Sequence, residues 1–253
     1  MSDAAPALLS VRDVRRIFGG VVALDGVSFN VPAGTIVGLI GPNGSGKTTL
    51  VNVISGMIEP TSGWVELEGK RISKQPAFRI ARMGLTRTFQ VSQPFTHLTA
   101  LENVAMGAMF GSKAAGRSVK QAQAVAQSVL ERVGLAERAS SLVEDFTVLD
   151  RKRLDLARAL ASEPKVLLLD EVLAGLRAGE MNQAVELIRS LNAEGVTLVI
   201  IEHVLRVIVS LCDSVVVIDR GKKIAEGTPD DVMRDESVIK AYLGTARVEA
   251  ERA

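Results

Sequence analysis

Short runs of consecutive apolar residues alternate with longer segments of helical spacing along the second half of the chain. Apolar runs occupy residues 166–169, 196–201 and 215–218, and residues 179–192 between the first two have a helical pattern. Strands that are apolar on both faces and separated by helices are typical of a buried parallel sheet with helices packed on it. The pattern therefore predicts an α/β fold.

The first quarter of the chain adds strands with a different pattern. Residues 9–14 and 23–31 are predicted strands, and residues 35–40 form a short β-branched run that ends at a glycine-rich turn. Residues 64–69 alternate between apolar and polar side chains and stop at a glycine, which is typical of a half-exposed antiparallel strand. We therefore expect a mixed β-sheet core with an additional antiparallel β portion.

The middle of the chain is predicted to be helical. From about residue 98 to residue 162 nearly every segment has a helical pattern, interrupted by a Gly/Ala/Ser linker at 111–116. Helices placed between the strands of a core indicate an inserted helical subdomain. The predicted organisation is one domain over residues 1–253, with a core at 1–90 and 163–244, a helical subdomain at 91–162 and a polar tail at 245–253.

Composition and charge exclude several classes of protein. Hydrophobic residues make up 47% of the 253 residues and charged residues 23%, which is typical of a packed globular chain rather than a disordered one. The net charge of +1 argues against a nucleic-acid partner bound by bulk charge. The single cysteine, Cys212, excludes an internal disulfide and a Cys-rich zinc site, and its apolar neighbours predict a small buried side chain.

Neither a leader nor a membrane-spanning segment is predicted. Residues 1–10 contain no basic region followed by a long apolar run, as a signal peptide requires. The longest uncharged run, residues 26–46, is broken repeatedly by Gly, Pro and Asn, so it is not a transmembrane helix. We expect a soluble, cytoplasmic chain that reaches a membrane only through partner proteins.

A phosphate-binding loop follows the predicted strand at 35–40 and precedes a helical run at 49–54, which is the context that the motif requires. The pattern G-x-x-x-x-G-K-[ST] is matched at each position by Gly41, Pro42, Asn43, Gly44, Ser45, Gly46, Lys47 and Thr48, with Thr49 next in the helix. Glycines let backbone N–H groups face phosphate, and the helix presents its positive end to it. Lys47 is expected to neutralise charge on the terminal phosphates of a bound nucleotide, and the Thr48 hydroxyl to coordinate Mg²⁺.

Two adjacent carboxylates end the apolar run at 166–169. Because the carboxyl ends of parallel strands face the ligand crevice, Asp170 is expected beside the Mg²⁺ ion. The next residue, Glu171, is placed to orient and deprotonate an attacking water as a general base. A phosphate-binding loop by itself also fits kinases, GTPases and recombinase-like ATPases, but the chain has no guanine-reading N-K-x-D motif.

These motifs occur in an order that resembles the ATP-binding subunits of ABC transporters, over about residues 8–244. Gln90 lies between the phosphate-binding loop and a helical segment at 154–160, and His203 follows the carboxylates and another strand. Several short segments resemble importers of branched-chain amino acids and related amides in particular: residues 18–20, 201–203, 211–213, 224–229 and 242–244.

The resemblance implies roles for three further residues. Phe18 stands where the family stacks an aromatic ring on adenine, although a core position beside Ile17 is the alternative. Gln90 resembles the glutamine that contacts Mg²⁺ and the water, the alternative being a solvated loop residue. His203 resembles the histidine that holds the γ-phosphate, whereas His97 has no motif around it and is expected to be structural.

The chain departs from the family at the signature loop, residues 146–150. The family has Leu-Ser-Gly-Gly-Gln or a near relative before the helix that is expected to start near Arg151, and uses it to cap the ATP of a partner chain. Here both glycines are absent and Asp150 replaces glutamine, so that Thr147 and Asp150 form a near capping box. Two smaller departures are Val172 in place of proline and Arg177 in place of Asp or Asn.

The resemblance implies an ATP-hydrolysing subunit of an importer on the inner face of the cell membrane. Its expected partners are transmembrane permease subunits docked near residues 90–101, a second ATPase chain in a heterodimer and, indirectly, a substrate-binding protein. The alternatives are a lipid-exporting ABC complex, an ABC ATPase of DNA repair or ribosomes, and a regulatory subunit that barely hydrolyses ATP. Coiled-coil arms or a second ATPase domain, which are usual in the DNA-repair and ribosome class, are absent from the sequence.

Overall fold

The computed structural model describes residues 7–88 and 94–242, which divide into two compact units. The first unit contains residues 7–77 and 192–242, and the second contains residues 78–88 and 94–191. In these described segments, no helix has the length and apolar character needed to cross a membrane.

Ten strands are present in the described residues: β1 (Ala7–Phe18), β2 (Val21–Pro32), β3 (Ile36–Ile40), β4 (Ser62–Leu67), β5 (Lys70–Arg71), β6 (Leu85–Arg87), β7 (Val166–Asp170), β8 (Thr197–Ile201), β9 (Ser214–Asp219) and β10 (Lys222–Gly227). The same residues contain eight α-helices: α1 (Lys47–Ile54), α2 (Ala77–Met83), α3 (Ala100–Phe110), α4 (Val119–Arg132), α5 (Val148–Ala161), α6 (Ala178–Ala193), α7 (Leu205–Leu211) and α8 (Pro229–Arg234). All seven predicted strands are confirmed, as is the α/β class.

An antiparallel sheet in the first unit has the strand order β2-β1-β4-β5. Its first strand is longer than the predicted segment 9–14, because the β1–β2 hairpin continues to the pair Phe18 and Val21. Gly19 and Gly20, with φ of 49° and 93°, form the two-residue turn that closes the hairpin. The predicted half-exposed strand is β4, which pairs antiparallel with β1.

A mixed sheet in the same unit carries the phosphate-binding loop. Strand β3 lies between β8 and β9 and is parallel to both, and β10 pairs antiparallel with β9. All five residues of β3 and of β8 are buried, which explains their uninterrupted apolar sequences. The edge strand β10 has a polar, half-exposed sequence and was not predicted.

The second unit contains the parallel strands β6 and β7 and helices α2 to α6. Helices α3, α4 and α5 confirm the helical middle segment, and the linker at 111–116 lies between α3 and α4. Residues 133–147 contain only two single 3₁₀ turns among these described positions, so the helical prediction is wrong there. The boundaries of the helical subdomain at 91–162 stay a prediction.

The core is aliphatic, as expected for a chain with 4% aromatic residues. Cys212 is buried, which confirms its predicted position, and a Cβ added to Gly38 would lie 3.1 Å from its Sγ atom. Burial raises the pKa of the Cys212 thiol to about 12, so the group remains protonated and packs as a small apolar side chain.

Candidate functional site

The phosphate-binding loop connects the buried strand β3 to the start of α1. Gly46 caps α1 with a φ of 108°, and no side chain among the described residues bonds to the first-turn N–H groups. Helices α3, α4 and α5 instead have complete capping boxes made by their own side chains. The N-terminus of α1 therefore presents its first-turn N–H groups without a side-chain cap, together with a positive dipole end, and both favour an anion such as phosphate.

Two glycines are required by the close packing of this loop on neighbouring backbone. A Cβ on Gly41 would lie 2.0 Å from the carbonyl oxygen of Ile218 in β9, and one on Gly46 would lie 2.7 Å from that of Ala23 in β2. The N–H of Gly221 donates to the carbonyl of Ser45 over 2.8 Å and fixes the loop from the same side. The loop is thus rigidly supported on one side.

The ammonium group of Lys47 lies over the loop itself. Its Nζ donates to the carbonyl oxygens of Gly41 at 2.7 Å and Pro42 at 2.9 Å. The neighbouring Thr48 is exposed and Thr49 is half-buried, both in the first turn of α1. The positive charge of Lys47 and the exposed hydroxyl of Thr48 thus both lie at the N-terminus of α1, where an anion is favoured.

Gly41→Ala is expected to destabilise the first unit and weaken ATP binding. The added methyl group must displace the Ile218 carbonyl, and overpacking of this kind costs about 1–3 kcal/mol. Gly44→Ala is the matched control, because φ is also positive there but a Cβ would meet no described atom within 4 Å. Thermal melting and nucleotide titration of both variants measure the difference, and equal losses would contradict this packing account.

Asp170 is the last residue of β7 and is buried beside Arg87, whose side chain is 9% exposed. The Nη2 atom of Arg87 donates to Oδ2 of Asp170 over 3.0 Å, and the N–H of Asp170 donates to Oγ1 of Thr88 over 3.1 Å. Burial lowers the pKa of Arg87, and the charge of Asp170 partly opposes this shift. The sequence analysis did not identify Arg87 and Thr88 as site residues. Both lie close to the predicted site residue Gln90, three and two positions before it.

Glu171 follows β7 directly and has a left-handed backbone. Its φ is 50°, a conformation that residues other than glycine rarely adopt and that recurs at functional sites. Its carbonyl oxygen lies 3.5 Å from Nζ of Lys152 on α5. The side chain is half-buried at the carboxyl end of the strand, where the sequence predicted it.

Two of the three residues whose roles were assigned by resemblance lie in the part of the chain that the structure describes. Phe18 ends β1 and is 40% exposed, with the guanidinium of Arg16 4.4 Å from its ring centre, so the alternative of a core position is wrong. His203 follows β8 with an exposed side chain, its Nδ1 3.9 Å from Oε2 of the buried Glu202. Gln90 lies outside the described residues.

The signature loop closes on its own helix. Thr147 and Asp150 form a complete capping box, which confirms the prediction, and α5 begins at Val148 rather than near Arg151 for this reason. The Nη1 atom of Arg138 lies 2.6 Å from Oδ2 of Asp150 and neutralises the carboxylate. Arg177, the residue that departs from the family pattern, donates its backbone N–H to Oε2 of Glu180 over 2.8 Å.

The predicted site residues are distributed over both units. The first unit holds the phosphate-binding loop, Phe18 and His203, and the second holds Asp170 and Glu171. Within each unit the geometry suits the predicted chemistry: an anion-binding loop in one, and a buried carboxylate followed by a second carboxylate in the other.

Comparison with known proteins assigns the chain to a family. Residues 24–174 match the ABC transporter model, and residues 222–248 match that of the branched-chain amino acid ATP-binding cassette transporter. The high-affinity branched-chain amino acid transport ATP-binding protein BraF of Pseudomonas aeruginosa is 37% identical, over 94% of this chain and 98% of its own length. The corresponding LivG of Escherichia coli K12 is 36% identical with the same coverage.

Solved structures show the same fold. A nucleotide-free ATP-binding cassette from an ABC transporter superimposes with a TM-score of 0.85 at 30% identity, covering 94% of this chain and 99% of its own. An ATP-binding cassette of an ABC transporter solved in its ADP conformation gives a TM-score of 0.84 at 31% identity, with coverages of 95% of this chain and 100% of its own. The chain belongs to the ABC transporter family as one of its ATP-binding cassettes.

Proposed function

We propose that this ATPase powers a membrane importer of branched-chain amino acids. The observation that carries the proposal is the match of residues 222–248 to a family model specific for that transporter type, in addition to the general cassette match. BraF and LivG, both named for branched-chain amino acid transport, align with nearly the full chain. Lipid export and a role in DNA repair or on ribosomes are therefore less well supported.

The phosphate-binding loop is proposed to hold the phosphates of ATP. Backbone N–H groups at the start of α1 would bind the phosphate oxygens, and Lys47 would exchange its bonds to the loop carbonyls for the terminal phosphates. Phe18 is exposed at the end of β1, and we propose that the free face of its ring stacks on adenine. His203, exposed after β8, is proposed to donate a hydrogen bond to the γ-phosphate.

The donor atoms on the chain fit a Mg²⁺ ion held mainly by the nucleotide. Mg²⁺ prefers oxygen ligands and usually binds one or two carboxylates together with substrate phosphates. Thr48 offers an exposed hydroxyl and Asp170 a carboxylate, and the described residues contain no cluster of three His, Cys, Asp or Glu that would form a protein-only cage. We propose Thr48, Asp170 and Gln90 as the residues that hold the ion, which when bound supplies charge stabilisation to the phosphates.

Glu171 is the proposed general base of hydrolysis. Its carboxylate would accept the proton of the water that attacks the γ-phosphate, while the Asp170 carboxylate accepts a hydrogen bond from Arg87 over 3.0 Å. The two neighbouring carboxylates are thus assigned different tasks: Asp170 pairs with Arg87 over 3.0 Å and is proposed to hold the metal ion, and Glu171 is proposed to accept the proton.

Transmembrane permease subunits are proposed to dock on the segment 90–101, on the inner face of the membrane. In its described part, the buried Asn103 bonds to the backbone of Phe95 and Leu98 and fixes the conformation of the segment. Phe95 remains 47% exposed, with Arg158 5.2 Å from its ring centre. An exposed aromatic side chain on a fixed backbone suits a protein interface.

Phe95→Asp is expected to uncouple transport from ATP hydrolysis. A charge in the docking contact would be desolvated without a partner, whereas the ATP-binding loop and the carboxylates are not changed. The expected result is at least a tenfold loss of uptake with basal ATPase activity within twofold of wild type. Phe78→Asp, at another exposed phenylalanine of the second unit, is the control, and unchanged uptake in Phe95→Asp would place the docking surface elsewhere.

Purification of the intact membrane complex tests the proposed function. The tagged chain, extracted in mild detergent, should co-purify with permease subunits, with a second ATP-binding cassette and, more weakly, with a substrate-binding protein. Co-purification with ribosomes, DNA or a lipid exporter instead would contradict the proposal.

A further inference from the structure

Lys152 connects the helix that follows the signature loop to the loop that carries the proposed general base. It lies in the second turn of α5, and its Nζ donates to the carbonyl oxygens of Glu171 at 3.5 Å and Val172 at 3.1 Å, and more closely to that of Ala174. An ammonium group has three N–H donors on one compact centre, which suits three converging carbonyls better than the flat fork of an arginine does.

The loop that Lys152 contacts has a conformation that needs external support. Glu171 has a positive φ, and such a backbone persists in a non-glycine residue only where its surroundings determine it. The turn bonds inside the loop are long: the N–H of Ala174 lies 3.3 Å from the carbonyl of Glu171, and that of Leu176 lies 3.3 Å from the carbonyl of Leu173. The three bonds from Lys152 therefore add polar support from α5 to this segment.

An apolar cavity borders the same loop. A cavity of about 480 Å³ lies between α5, the loop and α6, and it is lined largely by apolar side chains such as Leu149, Leu156, Leu173 and Leu176. The Lys152 side chain also lines this cavity, and its ammonium bridges from α5 to the loop at the edge of it.

We propose that Lys152 is a positioning residue for hydrolysis: it holds the backbone of residues 171–174 so that the Glu171 carboxylate is presented to the attacking water. The inference rests on the proposed role of Glu171 as the general base. On this proposal, α5 supports hydrolysis within its own chain. This role does not depend on contact between the altered signature loop and a partner's nucleotide.

Lys152→Met tests the inference, because methionine keeps an unbranched stem along the cavity and removes the charge and the donors. In the purified transporter complex, kcat for ATP hydrolysis should fall about 10- to 100-fold, the size of effect seen when a reacting group is misplaced by about 1 Å. The KM for ATP should stay within about threefold, since Lys47 and its loop are unchanged. Arg153→Met is the control: Arg153 lines the same cavity, but its Nη2 donates to Gln183 on α6 instead of the loop.

Two further measurements separate positioning from simple loss of fold. In a Glu171→Gln background, Lys152→Met should lower the remaining turnover less than threefold, because a base that is absent cannot be misplaced. Amide hydrogen exchange should rise at residues 172–176 in Lys152→Met and not in Arg153→Met. An additive loss in the double variant, or unchanged exchange in this loop, would overturn the inference.

The outcomes also distinguish this inference from the proposed function. If Glu171→Gln lowers kcat and Lys152→Met does not, the positioning role is wrong and the general base stands. If Glu171→Gln itself has no effect on kcat, both assignments are wrong.

Discussion

Replacing Glu171 with glutamine is expected to lower ATP turnover by about 10²–10⁴-fold, the usual contribution of a general base. Glutamine has nearly the same shape as glutamate but cannot accept a proton from water at neutral pH. Its neighbour Asp170 and the phosphate-binding loop keep their contacts, so ATP affinity should be unchanged. The variant should therefore bind ATP and stall before hydrolysis.

Phosphate release measures the loss of turnover, and nucleotide titration on the same purified complex measures the ATP affinity. Glu131→Gln provides the control, because Glu131 is exposed on α4 and its Oε1 accepts a hydrogen bond from Gln127 one turn away. It should leave turnover and affinity within twofold of wild type. Wild-type turnover in Glu171→Gln would contradict the assignment of the base.

Hydrolysis by this chain without a second type of ATPase chain is expected to be about 10²–10³-fold slower than by a mixed pair. In the family, the signature loop of one chain caps the ATP of the other with glycine N–H groups. Here Asp150 takes part in a capping box with Thr147 and pairs with Arg138, so the first turn of α5 is already occupied by its own side chain. Loss of one preorganised donor to transition-state charge costs about 10²–10³ in rate.

A mixed pair avoids this loss at one of its two sites. The phosphate-binding loop of this chain would meet the glycine-rich signature of the partner, and only the opposite site would be slow. The isolated chain should accordingly be mostly monomeric with low ATPase activity. Full ATPase activity should appear when the partner cassette is added. Size-exclusion chromatography and ATPase titration measure both properties.

A variant with the family's signature sequence restored at residues 148–150 tests the same prediction. Val148→Gly, Leu149→Gly and Asp150→Gln together should raise the activity of this chain alone, while Arg138→Gln should not, because it leaves the capping box in place. A homodimer of the unaltered chain that hydrolyses ATP as fast as the full complex would contradict the proposed pairing.

Local features of the site could be predicted from the sequence. The phosphate-binding loop, the strand before it and the helix after it depend on neighbouring residues, and each was placed within one or two positions. The capping box of Thr147 and Asp150 is likewise a contact across three residues, and it was predicted from their spacing. Such signals survive in a single sequence because the interacting groups are close along the chain.

Contacts between distant segments could not be predicted in the same way. Arg87 and Asp170 are 83 positions apart and meet only because β6 and β7 lie side by side as parallel strands. The bonds from Lys152 depend on the path of the loop after β7. The left-handed backbone at position 171 could not be predicted either, because the residue there is Glu171 and not a glycine. Strand pairing and loop paths are set by packing across the fold, which spacing along the chain does not record.

Amino-acid uptake by the reconstituted complex tests the central claim most directly. Vesicles loaded with ATP and Mg²⁺ on the side of this chain should accumulate leucine, isoleucine and valine when the substrate-binding protein is present. Lys47→Ala should strongly reduce the uptake when ATP is limiting, because loss of a charged donor to phosphate costs about 1.5–3 kcal/mol, or about 10–150-fold in ATP affinity. A complex that hydrolyses ATP while all three amino acids stay outside the vesicles would contradict the account.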